Sequence, residues 1–572
     1  MITYKKQPNT EEEIFRILHP IVKEWFVKKF GGFCLTQLYG VMEIHSRNNV
    51  LISATTGSGK TLTAFLAILN ELIDSSEKGI LENKIYCVYV SPLKSLNNDI
   101  YFNLVKPLEE MEKIAGKKFG IRIAVRTGDT SQSERAKMLK RAPHILITTP
   151  ETLAIILSSI KFREHLKNVE WCIIDEIHAL ADNKRGVHLS LSLERLNHLS
   201  NYITRIGLSA TCEPLEEIAK FLVGIGRSCK IVKVEIPKNM DFAVLTPVKN
   251  LVETNFVLMH NSFYKLLDQL IQSHKTTLIF TNTRSATERV VHYLKEKFPK
   301  IYSENIGAHH GSLSKELRLN LEKRMREGKL KAIVCSTSLE LGIDIGYIDL
   351  VVQLGSPKSV ARAVQRQGRA GHRLNDVIKG RIIVLDRDDL VECAVLQKDA
   401  VERKIDRIHI PQNCLDVLAQ HIVGMAIDQV WEEKELFNLI RKSYCYRNLD
   451  IEDFNNVLSY LAGEHISLED RHVYAKIWRK DGKIGRRGKL NRVIYMTNIG
   501  TIPDETLVKV KLNGQTIGTI DEAFLERLRR GDIFLLGGQT YKFLYSRGMV
   551  AHVSSSVDRP PTCLLYTSPS PR

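Results

Sequence analysis

Up to about residue 230, short and nearly unbroken apolar runs alternate with longer stretches whose apolar residues recur every three or four positions. Val50–Ser53, Ile85–Val90, Ile121–Val125, Ile145–Thr148, Trp171–Asp175 and Ile206–Ser209 are such runs. Unbroken apolarity over four to six residues is what a strand buried on both faces requires. Leu62–Ile73 and Pro214–Leu222 have helical spacing and fall between the runs. Strand–helix alternation of this kind predicts an α/β fold with a mostly parallel sheet. A second alternating block runs from about 245 to 403, with strands expected at Thr277–Phe280, Ala332–Cys335, Leu350–Gln353 and Ile382–Leu385. Val232–Pro247, with two prolines and mixed charge, reads as the linker between domains 1–230 and 245–403.

The pattern changes after about 405. Leu415–Ile427, Glu433–Ser443 and Ile451–Ala462 have helical spacing and short connections, predicting a small helical domain over 405–470. Beyond it, Val493–Met496, Leu507–Leu512, Ile533–Leu536 and Thr540–Leu544 read as strands separated by Gly and Asn-Gly turn signals. Residues 471–562 are therefore expected to be β-rich. Cys563–Arg572, CLLYTSPSPR, reads as the translation of a transposase sequencing adaptor, so the β-rich part is expected to be truncated and the native chain to continue past Thr562.

Composition narrows the class. Lys and Arg number 82 against 65 Asp and Glu, a net charge of +17, which favours polyanionic partners, nucleic acid first among them. No run approaches the roughly 18 apolar residues that span a bilayer, and the amino terminus, MITYKKQPNTEEE, lacks a secretory apolar core. The cysteines are scattered and form no C-x-x-C pair, so a zinc site or disulfide framework is not expected. A reduced, cytoplasmic protein is the expectation.

Three segments carry chemistry. Ala54–Thr61, ATTGSGKT, follows the strand Val50–Ser53 and precedes a helix, the setting of a phosphate-binding loop. Thr56, Gly57, Ser58 and Gly59 form its turn; Gly57 and Gly59 let backbone N–H groups approach phosphates at a helix N-terminus. Lys60 would reach the β- and γ-phosphates of ATP and the Thr61 hydroxyl would ligate Mg²⁺. Ala54 stands where the usual pattern has Gly. Asp175–His178, DEIH, ends an apolar strand; Asp175 is assigned to the metal and Glu176 to the base or water-positioning role. An acidic helix cap would look the same in isolation. Gln365–Arg373, QRQGRAGHR, sets Arg366, Arg369 and Arg373 beside two glycines that an ordinary basic helix would not carry. A cation aimed at a γ-phosphate is worth roughly 10³–10⁵ in rate.

With these motifs stand SPLKSLNNDI (91–100), GDTSQSERAKML (128–139), HILITTPETL (144–153), RGVHLSLSLERL (185–196), RIGLSAT (205–211) and STSLELGIDIG (336–346). In this order they resemble the superfamily 2 helicases, and specifically the large helicase-related (Lhr) family, over residues 11–562. The resemblance implies two tandem RecA-like (P-loop NTPase) domains, a winged-helix domain and the start of a β-rich domain. It implies ATP and Mg²⁺ as cofactors and 3′→5′ translocation on single-stranded DNA, unwinding DNA or RNA–DNA duplexes in repair or recombination. An RNA-remodelling helicase, or an ATPase fragment that binds strands without unwinding, are the alternatives.

Carried over residue by residue, Gln37 matches the adenine-recognising glutamine, although Phe33-Cys34 replaces the usual Pro-Thr before it. Asp344 falls where the second domain meets the nucleotide. Gln365 and Arg369 match γ-phosphate sensors, with His372 in a supporting role in place of a second arginine. Ser209, Ala210 and Thr211 match the segment coupling hydrolysis to strand movement. Strand-binding candidates are Ser91, Lys94, Thr127, Gly128, Thr149 and Pro150 in the first domain. Thr281, Arg284, His310, Gly311, Thr337 and Ser338 are those of the second. Trp478, within the basic AKIWRKDGKIGRRG, is set either to stack a base or to fill a core.

Overall fold

The computed structural model describes residues 1–556 except Thr56, 93–99, Asn201, 235–238, 341–345, 372–376, 465–474, 489–490, 502–506 and 548–549. Lys94, Asp344 and His372, and Thr56 of the phosphate loop, lie outside the described residues, as does the tail 563–572. Two compact units emerge: residues 1–235 with 407–502, and residues 236–406 with 503–572.

The first unit is built on a parallel sheet. Its strands are β1 (Ile2–Tyr4), β2 (Val50–Ala54), β3 (Cys87–Val90), β4 (Ile123–Arg126), β5 (Ile145–Thr148), β6 (Trp171–Ile174), β7 (Thr204–Ser209) and β8 (Cys229–Val234). Their order is β1-β8-β2-β7-β6-β3-β5-β4. The central strands are buried along their whole length, which is why they read as unbroken apolar runs.

The second unit repeats the plan with β9 (Met240–Leu245), β10 (Thr277–Phe280), β11 (Ile306–His309), β12 (Ala332–Cys335), β13 (Leu350–Leu354) and β14 (Ile378–Ile383), in the order β11-β12-β10-β13-β14-β9. The segment expected as a linker thus contains an edge strand: β9 pairs in parallel register with β14 from Met240↔Ile378 to Leu245↔Ile383. Its alternating MDFAVL pattern is the mark of a strand covered on one face, and the flanking prolines hid it.

The helices expected at 415–462 form with close to their expected bounds, as Leu415–Asp428, Glu433–Arg441 and Ile451–Ala462. A three-stranded sheet of β15 (Trp431–Glu432), β16 (Ile477–Lys480) and β17 (Lys483–Arg486) joins them, so the winged helix draws on residues either side of 470. It shares one hydrophobic core with the first parallel sheet, running from Leu191 and Phe221 to Leu418, Ile422 and Tyr446. The expected strand Val493–Met496 is instead part of the helix Asn491–Thr497. There Tyr495 is buried against Gly424 while Val493 and Ile494 face solvent, so docking on the neighbouring helix overrides local β-propensity.

The second unit ends in a sheet of β18 (Leu507–Leu512), β19 (Gln515–Asp521), β20 (Ile533–Leu536), β21 (Gln539–Ser546) and β22 (Val550–Ser555), ordered β19-β18-β22-β21-β20.

Candidate active site

In the first unit, β2 delivers the chain into the loop before the helix Lys60–Glu77. Gly57 and Gly59 both have φ of +80°, a backbone that side chains with a Cβ rarely adopt. Gly59 has a further constraint. A Cβ there would lie 3.3 Å from Cys34 Sγ and 3.6 Å from Gln37 Nε2, so the loop is packed against the glutamine expected to read adenine. Gln37 is buried and its Oε1 accepts the Cys34 N–H at 2.9 Å, while the Cys34 thiol donates to the Ser58 carbonyl at 3.3 Å. Lys60 Nζ donates to the Ala54 and Thr55 carbonyls at 2.6 and 2.9 Å, folded over its own loop. Ser58 is buried, and Thr61 occupies the first turn of the helix, half-buried.

Beyond the end of β6, Asp175 is buried and Glu176 takes φ of +47°, a left-handed turn that an L-residue adopts only at a cost. The Tyr89 hydroxyl donates to Asp175 Oδ2, and the Glu176 N–H donates to Asp175 Oδ1 at 2.9 Å. Burial, then the charge of Glu176, pushes the Asp175 carboxyl up to about 7, opposed by its hydrogen bonds and by the Lys60 ammonium. The loop lysine thus opposes the rise at Asp175 from 115 residues away in sequence.

His178 ties this pair to Ser209 and Ala210, of the segment expected to couple hydrolysis to strand movement. Its Nδ1 is 3.6 Å from Glu176 Oε2, 3.3 Å from Ser209 Oγ, and accepts the Ala210 N–H at 3.2 Å. Thr211 follows, half-buried. The strand leading there, β7, is anchored by buried Arg205, which donates to Glu194 at 2.9 Å and to the Leu193 and Leu222 carbonyls.

In the second unit, the helix Val360–Gln367 carries Gln365, half-buried, and Arg366, which is buried and structural. Arg366 donates to Glu340 Oε2 at 2.8 Å and to Gln353 Oε1 at 2.7 Å. Arg369 is buried too, its guanidinium donating to the Glu340 carbonyl at 2.8 and 3.2 Å. Of the three arginines in this segment, Arg373 lies outside the described residues.

The described strand candidates differ in exposure, Arg284 and Ser338 being half-buried. Gly128, Gly311 and Thr337 are exposed. Ser91, Thr127, Thr149, Pro150, Thr281 and His310 are buried and shape their loops. Thr149 caps the helix Pro150–Leu157, Thr281 Oγ1 bonds Thr287 Oγ1 at 2.7 Å, and His310 Nε2 bonds Glu288 Oε1 at 2.6 Å. Ser338 is held on the His309 carbonyl at 2.9 Å, and Arg284 begins the helix Arg284–Lys297. Trp478 is half-buried on the wing with its ring over Gly485, where a Cβ would come within 2.6 Å of it.

Sequence reasoning gave no role to Tyr89, His178, Glu340 or Arg185. Arg185 Nε donates to Glu151 at 2.7 Å and its Nη2 to the Pro92 carbonyl at 3.1 Å, joining two segments that hold strand-binding candidates. The His of DEIH and the Arg opening RGVHLSL were visible signals; the partners were not.

Two parallel sheets, with a phosphate loop and carboxylate pair on the first and an arginine segment on the second, define the class as the core of a DEAD/DEAH-box helicase. Residues 35–219 match the DEAD/DEAH box helicase family and residues 262–373 the helicase conserved C-terminal domain. Residues 398–563 match the winged helix domain of large helicase-related protein. The chain belongs to the large helicase-related (Lhr) family of these helicases. It is 56% identical to ATP-dependent helicase Lhr-Core of Methanothermobacter thermautotrophicus, over 98% of this chain and 66% of that protein. It is also 56% identical to ATP-dependent helicase Lhr-Core protein 2 of Thermococcus barophilus, with the same coverage. The chain thus spans about two thirds of the length of these relatives. The solved structure of Mycobacterium smegmatis helicase Lhr, bound to ssDNA and AMP-PNP, superposes with a TM-score of 0.78 at 35% identity, over 86% of this chain and 63% of that one.

Proposed function

We propose that the chain is an ATP-dependent 3′→5′ nucleic-acid translocase and helicase that unwinds DNA or RNA–DNA duplexes in repair or recombination. The observation that carries this reading is the geometry joining Asp175 and Glu176 to His178, Ser209 and Ala210. It supports a route from the candidate carboxylate pair to the segment proposed to respond to hydrolysis. The single-stranded DNA and nucleotide analogue bound by the Mycobacterium smegmatis relative support the same reading.

Thr61 and Asp175 offer a hydroxyl and a carboxylate, hard oxygen donors that suit Mg²⁺. The raised Asp175 carboxyl, pressed by Glu176, is where a cation would relieve repulsion. The ion would neutralise charge developing on the phosphates when bound. Lys60 is proposed to hold the β- and γ-phosphates, Glu176 to orient the attacking water and take its proton, and Gln365 and Arg369 to sense the γ-phosphate. Gln37 is proposed to select adenine.

Strand displacement on 3′-tailed and 5′-tailed duplexes, each with DNA or RNA as the tracking strand, tests polarity and strand chemistry together. Unwinding of 3′-tailed DNA alone is expected, and activity confined to 5′ tails or to RNA would contradict the proposal. Lys60→Ala should abolish strand-stimulated ATP hydrolysis. Retained hydrolysis would remove the phosphate loop from the mechanism.

A further inference from the structure

The carboxylate turn is tied to a second place besides Ser209 and Ala210. The short helix His178–Ala181 starts directly from Glu176, whose carbonyl accepts the Ala179 N–H at 2.9 Å. Asn183 bridges that helix to the next, Lys184–Leu199. Its Nδ2 donates to the Ala179 carbonyl at 2.8 Å, while its Oδ1 accepts the N–H groups of Arg185 at 3.0 Å and Gly186 at 3.4 Å. Gly186 lets the two helices meet backbone to backbone, since a Cβ there would collide with the Leu180 carbonyl oxygen. Arg185 is therefore fastened to the turn that carries Asp175 and Glu176.

The guanidinium of Arg185 reaches two loops at once, with Nε on Glu151 and Nη2 on the Pro92 carbonyl. Pro92 follows Ser91 beyond the end of β3, and Glu151 follows Thr149 and Pro150 beyond the end of β5. These strands are parallel neighbours, with Val90 beside Thr148 and the Ser91 N–H on the Thr148 carbonyl at 3.1 Å. Past that bond the Arg185 fork spans the two loops. Burial disfavours the charged form of the Glu151 carboxyl, yet the hydrogen bond and charge of Arg185 hold it below the usual carboxylate range. The pair is ionised at neutral pH.

A half-exposed ion pair ordinarily adds little stability. Nor does local helix chemistry ask for this arginine. Lys184 and Arg185 occupy the first turn, where the helix dipole disfavours cations, and no acid stands there. A local rule broken in this way points to function. Geometry supplies one: both bonds come from a single planar fork whose backbone is locked to the carboxylate turn.

We propose that Arg185 is a positioning residue that carries the state of the Asp175–Glu176 turn to the loops after β3 and β5, setting the spacing of Ser91, Thr149 and Pro150 according to the nucleotide bound. This route runs beside the one through His178 and Ser209 and uses none of its hydrogen bonds. It rests on the reading that the chain couples ATP hydrolysis to a grip on single strands.

The test measures affinity of the full chain for fluorescent oligo-dT without nucleotide and with Mg²⁺ and AMP-PNP. Wild type should differ at least about fivefold between the two states, the lower end of ordinary coupling between sites. Arg185→Ala should bring the two affinities within about twofold of each other, with AMP-PNP affinity in the absence of strand held within about twofold of wild type. Arg185→Lys keeps the cation but offers a point charge in place of the fork, and should also lose most of the ratio. An arginine that only stabilised the fold would weaken both states alike and leave their ratio as in wild type. The wild-type ratio in Arg185→Ala or in Arg185→Lys would overturn the proposal. Equal wild-type affinities in the two states, with strand-stimulated hydrolysis intact, would overturn this role alone. Equal affinities without any strand stimulation would overturn the strand-coupled reading, and this role with it.

Discussion

His178 is a residue whose role depends wholly on its neighbours. The backbone N–H of Ala210 is an obligate donor, so Nδ1 must accept and the ring proton sits on Nε2. In that state the ring holds Ala210 and Ser209 beside Glu176. His178→Ala is therefore expected to leave ATP affinity within about twofold while lowering strand-stimulated turnover roughly 10- to 100-fold, the range for residues that orient a metal site's ligands. Steady-state turnover with a separate nucleotide-binding titration measures both, and turnover equal to wild type would remove the link. This role was not legible in the sequence, because its partner lies 31 residues away on another strand. The phosphate loop was legible, since its strand, glycines and helix are contiguous. Arg366 and Arg369 are both buried, and only their partners tell them apart, Arg366 closed on the Glu340 and Gln353 side chains and Arg369 on the Glu340 carbonyl.

Among the elements, docking of the winged helix on the first sheet carries a pH dependence. His188 of the helix Lys184–Leu199 and His421 of the helix Leu415–Asp428 are buried, with ring centroids 4.3 Å apart. Burial pushes the His188 imidazole down to about 4, with Glu151 opposing and Arg195 and Arg185 adding to the shift. Burial and the neighbouring His188 and Arg195 drive His421 well below the usual imidazole range. Such groups take up protons more readily in the unfolded chain, so their contribution is intact above about pH 6.5 and is lost as pH falls towards 4. Each histidine should steepen the loss by up to about 1.4 kcal/mol per pH unit within that window. Urea unfolding of wild type and His421→Phe between pH 7.5 and 5 measures this, and parallel pH profiles would show that the pair is not responsible. Of the two helices that meet here, Leu415–Asp428 was legible from its spacing. The helix Asn491–Thr497 was not, because its apolar residues take their conformation from Gly424 and the space it leaves for Tyr495. A Cβ at Gly424 would come within 2.3 Å of the Tyr495 hydroxyl, a constraint visible only once the two helices are packed.

For the whole molecule, the excess of 82 basic over 65 acidic residues makes a claim that charge alone cannot settle, since a basic surface can serve solubility as well as binding. Salt separates the two readings. Each phosphate neutralised on a single strand contributes about −0.7 to the slope of log affinity against log salt. Four or more phosphates neutralised by Lys and Arg side chains would give a slope of about −3 or steeper. Raising salt fourfold should then weaken binding of a 20-nucleotide strand by roughly 60-fold. Over the same range, Arg284→Ala should shift the slope by about one phosphate's worth, whereas a basic surface residue remote from the strand should not. A nearly flat salt dependence in wild type would mean that strand affinity comes from stacking alone, and the net charge of +17 would then have no part in holding the strand.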